Sequence, residues 1–287
     1  MTCFSSPLRS LHPFSRDTDL RERWRALPGR ERVERPDAVA LSFDDGPDPG
    51  VTPALLDALD AVGARATFFV VGEQLLRAPG LGAEILRRGH EVGLHGFGHP
   101  RHDELAPGAS RDDLAKGHGA VEAATGRAPR FFRPPYGQGT EATQAACERL
   151  ALEPVYWSAW GLDWAPIDAG QIAGLVEPDL AEGAIVVLHD SARYAPREDA
   201  GPTVEAVSLV AQVAEIRGLS LLSVGECIAA AEMGLSYASL CVVDNLANGV
   251  ASLGLTAADV REGQLEHRPE LEAVLASALG ALTTQGP

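Results

Sequence analysis

The chain has 287 residues, 45% of them hydrophobic, which suits one large α/β domain or two small ones. Its 40 acidic residues against 24 Lys and Arg give a formal charge of −16, and this argues against nucleic acid and anionic membranes as partners, because their phosphates would be repelled. No run approaches the roughly 20 apolar residues of a membrane span; the start lacks the apolar stretch of an export signal; and Cys3, Cys147, Cys227 and Cys241, with no CxxC spacing, read as reduced thiols, so the expected setting is the cytoplasm.

Residues 1–37 are charged and Arg-rich, broken by Pro28, Gly29 and Pro36, and read as an irregular or loosely helical arm. From Ala38 an alternation begins. "AVALSF" is a buried strand, and "TPALLDALDAVG" a helix with Thr52 as N-cap, Pro53 at the first helical position and Gly63 near the C-cap. "ATFFVVG" is a second strand, "LGAEILRRG" a short helix and "HEVGLH" a third strand. A helix over about 110–125 precedes the short strand "RFFR"; "TEATQAACERLA" is a helix and "EPVYWSA" a strand. A helix over about 169–181, the apolar strand "AIVVLHD", the long helix "PTVEAVSLVAQVAEIRG" and the strand "LSLLSV" complete the series. Near-continuous apolar strands between helices imply a parallel sheet covered on its faces. About seven units favour a (β/α) barrel over an open sheet.

Polar residues punctuate this pattern at one end. Asp44, Asp45, His95 and His189 each close a predicted strand, at the rim where α/β folds build their sites. Two adjacent like charges are unfavourable unless a cation lies between them or one carries a proton. In "HGFGH", His95 and His99 are four apart with glycines between, a spacing that sets two imidazoles side by side for a divalent metal. The Asp44–Asp45 pair can supply the third ligand if the turn at Gly46-Pro47 lets both acids face one cavity. One of them would then ligate and the other hold a water as general base, a role typically worth about 10² to 10⁴ in rate. His189 reads either as the acid that protonates a leaving amine or as a satisfied histidine at a strand end.

Taken in order, "SFDDGP" (42–47), "HGFGH" (95–99), "RPPYG" (133–137), "GLDW" (161–164) and "VVLHD" (186–190) resemble the five motifs of the polysaccharide deacetylase, or NodB-homology, family, carbohydrate esterase family 4. The resemblance covers roughly residues 38–228. It implies a distorted (β/α) barrel and metal-dependent N-deacetylation, usually with Zn2+, with Co2+, Ni2+ or Mn2+ as other divalent candidates. On this resemblance Asp44 is the base and Asp45, His95 and His99 are the ligands. Arg133 orients Asp44, and Asp163 pairs with His189 and keeps it protonated. The backbone N–H of Tyr136 serves the oxyanion, and Trp164 and Leu188 wall the acetyl pocket. Two positions depart from the family pattern. Gly96 stands where Ser or Thr is usual, which removes a hydroxyl near the metal, and Trp160 stands where an Asp is usual, which suggests a narrower, more apolar rim.

Residues 229–287 are expected to form an α+β extension, with a strand at 237–243 and a helix capped by Thr256 and Asp259. This stretch resembles the C-terminal end of the purine nucleoside and methylthioadenosine phosphorylase family, in which the place of Asp244 or Asn245 lies near the base; a docking or homodimerising appendage is the plainer reading. The expected function is removal of an N-acetyl group from a small cytoplasmic amino sugar or a sugar- or nucleoside-like intermediate. The alternatives are a cyclic-amide hydrolase resembling allantoinase relatives and a binding protein on the same scaffold.

Overall fold

The structure, a computed structural model, describes Trp24 and residues 26–232. Eight strands form one sheet in the order β5-β4-β3-β2-β1-β7-β6, with β8 also paired to β1, and every strand pair is parallel. The strands are β1 (Ala38–Asp44), β2 (Thr67–Val70), β3 (Glu91–Leu94), β4 (Phe131–Phe132), β5 (Glu153–Pro154), β6 (Ala159–Trp160), β7 (Ile185–His189) and β8 (Ser220–Leu222). The helices between them are α1 (Thr52–Ala61), α2 (Gly72–Arg77), α3 (Pro79–Arg87), α4 (Pro107–Thr125), α5 (Glu141–Arg149), α6 (Ala169–Val176), α7 (Gly201–Ile216) and α8 (Val224–Glu232). This is the distorted (β/α) barrel expected.

Strand alternation divides the core. On β1, Val39, Leu41 and Phe43 join Leu55, Leu56, Leu59, Val207 and Val210 in the layer beneath the helices. Ala38 and Ala40 face the barrel interior with Ile185 and Leu222. Ser42 and Asp44 continue this inner row upward, so its upper end is polar while its base is apolar.

Neighbours in sequence, β5 and β6 lie at opposite ends of the sheet path. "EPVYWSA", expected as one strand, is therefore two short strands. Here the seam is bridged by the segment before β1. Arg30 pairs with Val155 and Arg32 with Ala184; Arg30 N–H donates to Pro154 O at 2.9 Å and Val33 N–H to Gly183 O at 2.9 Å. Trp24, Leu27 and Val33 are buried there, so this part of the expected arm is packed structure that covers two sheet edges.

Other expectations shift locally. Thr52 is the first helical residue of α1 and not its N-cap; its hydroxyl donates to Asp190 Oδ2 at 2.6 Å. Helix α2 was not anticipated, and the helix over 169–181 ends at Val176 and gives way to a 3-10 turn, Glu177–Asp179. Cys147 and Cys227 are buried free thiols. The expected strand at 237–243, the helix capped by Thr256 and Asp259, the phosphorylase-like features and Cys3 and Cys241 lie outside the described residues.

Candidate active site

The strand ends converge as the sequence suggested. Asp44 ends β1 on its inner face, and Asp45 turns off the strand with φ 80°. That left-handed residue is how two adjacent carboxylates enter one cavity, which strand alternation forbids. His99 (φ 62°) and Tyr136 (φ 58°) share this uncommon conformation. Strain of this kind costs roughly 1–3 kcal/mol per residue and persists where the surroundings over-determine it. Close backbone approach helps at Gly46, where a Cβ would lie 2.1 Å from Asp190 Oδ2.

Asp45, His95 and His99 offer three donor atoms within 4.8 Å of one another, all on buried side chains. Asp45 Oδ1 lies 3.0 Å from His99 Nε2 and 3.5 Å from His95 Nε2, and among the described residues it has no hydrogen-bond partner. His95 Nδ1 lies 2.7 Å from Arg133 O; if Nδ1 carries the proton and donates there, Nε2 presents its lone pair to Asp45. Burial pushes the Asp45 carboxyl up, but His95 and His99 more than offset it and hold it below the usual range. Burial also pushes His99 down, against the pull of Asp45, which favours the neutral imidazole a metal needs. An orphaned carboxylate oxygen facing two imidazole nitrogens fits a divalent transition metal of the zinc type, with positions left open.

Two proton-transfer groups flank this centre. Asp44 Oδ1 accepts from Arg133 Nη1 at 2.7 Å, and its Oδ2 lies 3.9 Å from His95 Nε2. Arg133 is fully buried; it also donates to Ser42 Oγ, Val155 O and Tyr156 O and lies 4.1 Å over the Phe69 ring. His189 Nδ1 lies 2.8 Å from Asp163 Oδ1. Burial alone would lower the His189 pKa; Asp163, with Asp45 and Asp44 farther off, raises it to about 9. Burial would raise the Asp163 carboxyl, yet His189, Arg197 and Thr203 hold it below its usual value.

The expected wall residues divide. Trp164 sets its edge against the His189 ring at 5.4 Å, and Tyr136, 47% exposed, meets His99 edge-on at 4.7 Å. Leu188 is a correction. It is fully buried in the helix-facing layer, where Gly161 brings it close to Ile172 and Val176. Alternation points its neighbours Val187 and His189 inward instead, and Val187 packs with Trp160, Leu162 and Trp164. Trp160 is a second correction: at 7% exposure it belongs to that cluster and not to the rim.

Sequence reasoning missed three more residues. Arg197 donates to Thr203 Oγ1, to Asp163 O and, at 2.9 and 3.0 Å, to the carbonyls of His189 and Ser191. Thr203 donates to Asp163 Oδ2 at 2.7 Å. Tyr194 stacks on His99, centroids 4.1 Å apart and planes 10° off parallel. None of the three lies in a motif; they reach the site from the β7–α7 connection and the start of α7.

The polysaccharide deacetylase family model matches residues 31–155. A chitooligosaccharide deacetylase of Bradyrhizobium sp. (strain ANU 289) is 34% identical over 193 residues, which cover 64% of this chain and 87% of that protein. The peptidoglycan-N-acetylglucosamine deacetylase PgdA of Listeria monocytogenes is 37% identical over 152 residues, 53% of this chain, and this chain spans only 32% of its length. Among solved structures, a peptidoglycan N-acetylglucosamine deacetylase in complex with a naphthalenyl N-oxidanyl-benzamide superposes with a TM-score of 0.65 at 27% identity, covering 70% of this chain and 92% of that one. With the Asp-His-His centre and two flanking dyads in place on that fold, the chain belongs to the polysaccharide deacetylase family.

Proposed function

We propose that the protein is a metal-dependent N-deacetylase that hydrolyses the acetamide of an N-acetylated amino sugar. One observation carries this reading: a buried Asp-His-His donor set at the strand rim lies between two separately held proton-transfer groups, Asp44 on Arg133 and His189 on Asp163. The names of the relatives support the same bond and the same sugar class.

Asp45, His95 and His99 would hold the ion, zinc or a related divalent metal, which when bound supplies a Lewis acid that polarises the amide carbonyl and acidifies water. Arg133 holds and aims Asp44, so Asp44 takes the proton as water adds to the carbonyl carbon. As the C–N bond breaks, acetate departs and His189 gives its proton, from Nε2, to the leaving nitrogen; Asp163 on Nδ1 fixes the ring and keeps it charged. The N–H of Tyr136 is the residue-level candidate for the oxyanion donor, and Trp164 with Val187 for the apolar wall beside the methyl group.

Within this class the favoured substrate is a small N-acetylated molecule met in the cytoplasm. Its support is the pair of tyrosine rings, Tyr136 and Tyr194, that both lie against the His99 ring. The test incubates zinc-loaded protein with N-acetylglucosamine, chito-oligosaccharides, peptidoglycan and N-acetylated nucleosides and measures acetate. Asp44→Asn is expected to lower turnover by about 10² to 10⁴ while metal stoichiometry holds. Acetate from long polymers alone overturns the small-substrate reading. Silence towards every substrate with the metal fully bound overturns deacetylation and leaves cyclic-amide hydrolysis or simple binding.

A further inference from the structure

The loop His95–His99 carries two of the three donors, yet it belongs to no helix or strand. His95 N–H still donates to Val70 O at 2.8 Å, but with Gly96 at φ 81° and His99 at φ 62° the rest of the loop leaves the ladder. Beyond the bonds of His95 itself, two sets of contacts hold it. From one side, Gly72 N–H and Glu73 N–H at the start of α2 donate to Gly96 O at 3.0 Å and Phe97 O at 2.9 Å. From the other, Asp113 of α4 accepts from Phe97 N–H at 3.0 Å on Oδ2 and from Gly98 N–H at 3.1 Å on Oδ1.

The carboxylate is itself held. Its side chain is 11% exposed, and His102 Nε2 lies 3.3 Å from Oδ2; the other His102 nitrogen lies 3.4 Å from Thr143 Oγ1 on α5. Burial would push the Asp113 carboxyl up, but His102 and the two amides hold it below its usual value. Gly96 is what admits it. A Cβ there would lie 2.7 Å from Asp113 Oδ2, so no side chain can stand at 96 without displacing the acid. Gly117, about one helical turn along α4, lets the helix pack directly on Gly96, whose carbonyl a Cβ at 117 would meet at 3.0 Å.

We propose that Asp113 is a positioning residue for the metal centre: a carboxylate clamp, backed by His102, that sets the loop amides and thereby the placing of His95 and His99. The clamp does the work for which a hydroxyl after the first histidine is otherwise suited, and Gly96 and Asp113 form a matched pair. Outer contacts of this kind typically change metal affinity about 10- to 100-fold when removed. The inference rests on reading Asp45, His95 and His99 as a metal site, and it is independent of which bond is hydrolysed.

The test titrates the full-length protein with Co2+ against a chelator and records the visible spectrum of the bound ion. Asp113→Asn replaces one acceptor by a donor facing a loop amide; it is expected to weaken Co2+ binding about 10- to 100-fold and alter the spectrum, and Asp113→Glu to recover part of the loss. A merely structural role would lower the melting temperature and leave affinity and spectrum unchanged, and that result overturns the proposal. Should Asp113→Asn not fold, His102→Gln decides: several-fold weaker Co2+ binding supports the clamp, and wild-type affinity with a wild-type spectrum refutes it. If the wild-type protein binds no Co2+, the metal-site reading falls and takes the clamp with it.

Discussion

At the residue scale, environment separates the roles of chemically identical groups. Asp44 and Asp45 are neighbours, yet one carries a buried guanidinium and the other faces two imidazoles. His189 has the Asp163 carboxylate on its Nδ1, so its charge is favoured while burial disfavours that of His99. A pH prediction follows, with a definite sign. In the metal-free protein the His189 imidazolium should persist up to about pH 9, above the ordinary histidine range. Its raised pKa stabilises the fold fully below about pH 6.5, and this contribution is lost as pH rises through about 9. Asp163→Asn removes the main upward pull, so NMR titration should find His189 deprotonating at a lower pH, and the alkaline limb of activity should move the same way. A bound cation beside Asp45 opposes the charge of that acid, so in the loaded enzyme the limb lies below 9. An unshifted imidazole in Asp163→Asn contradicts the dyad. Asp44, Asp45, His95 and His189 were legible because a polar residue that ends an apolar strand has few explanations besides a site; His99 followed from its spacing to His95, and Asp163 from the motif order. Arg197, Thr203 and Asp113 were not, because their partners lie between 15 and 40 positions away for every bond to Asp163 or to the metal-ligand loop.

At the element scale, period-2 alternation decides which side chains can touch substrate. On β7, Val187 and His189 point inward, while Val186 and Leu188 point towards the helices. Motif resemblance put Leu188 in the pocket; alternation counted back from His189 would have chosen Val187. The two assignments predict opposite phenotypes. Leu188→Ala leaves a cavity under α6 and should cost about 2–5 kcal/mol of unfolding free energy, with kcat/KM of the folded protein near wild type. Val187→Trp adds bulk beside Trp164 and should cut kcat/KM or alter acyl-group preference. Denaturant unfolding paired with acetate kinetics reads both effects, and a catalytic defect in Leu188→Ala greater than its loss of folded protein would restore the original assignment. The same alternation could not resolve "EPVYWSA". Glu153 and Pro154 pair with β4 while Ala159, followed by Trp160, pairs with β7, and the crossover between them carries Val155, Tyr156 and Trp157, all suited to a strand. Nothing within the segment marks the break, because it is imposed by barrel curvature.

At the scale of the whole molecule, the open seam between β5 and β6 ties Trp24 and residues 26–33 to the chemistry. That stretch reads as a charged arm because Arg30, Glu31 and Arg32 stand together and Pro28 and Gly29 break it, so Trp24, Leu27 and Val33 sustain no helix or strand period. Packing gives them meaning. Trp24 stacks on Tyr156 with centroids 4.3 Å apart, and the Tyr156 hydroxyl donates to Leu27 O at 2.7 Å. Above them sits the loop of Tyr136: a Cβ on Gly137 would meet Trp157 at 2.9 Å and Trp24 at 3.1 Å, and one on Gly139 would meet Leu27 at 2.4 Å. The segment is thus the floor on which the proposed oxyanion loop rests, while Asp45, His95 and His99 hang from β1 and β3 elsewhere on the rim. Leu27→Ala should cost about 2–5 kcal/mol, as for other fully buried leucines. Under conditions where the variant remains folded, relief of packing beneath Gly139 should lower kcat and leave Co2+ affinity unchanged, because the metal donors follow β1 and β3. A variant that loses metal affinity in step with turnover would mean that the seam and the metal centre form one cooperative unit, and that the floor has no separate role.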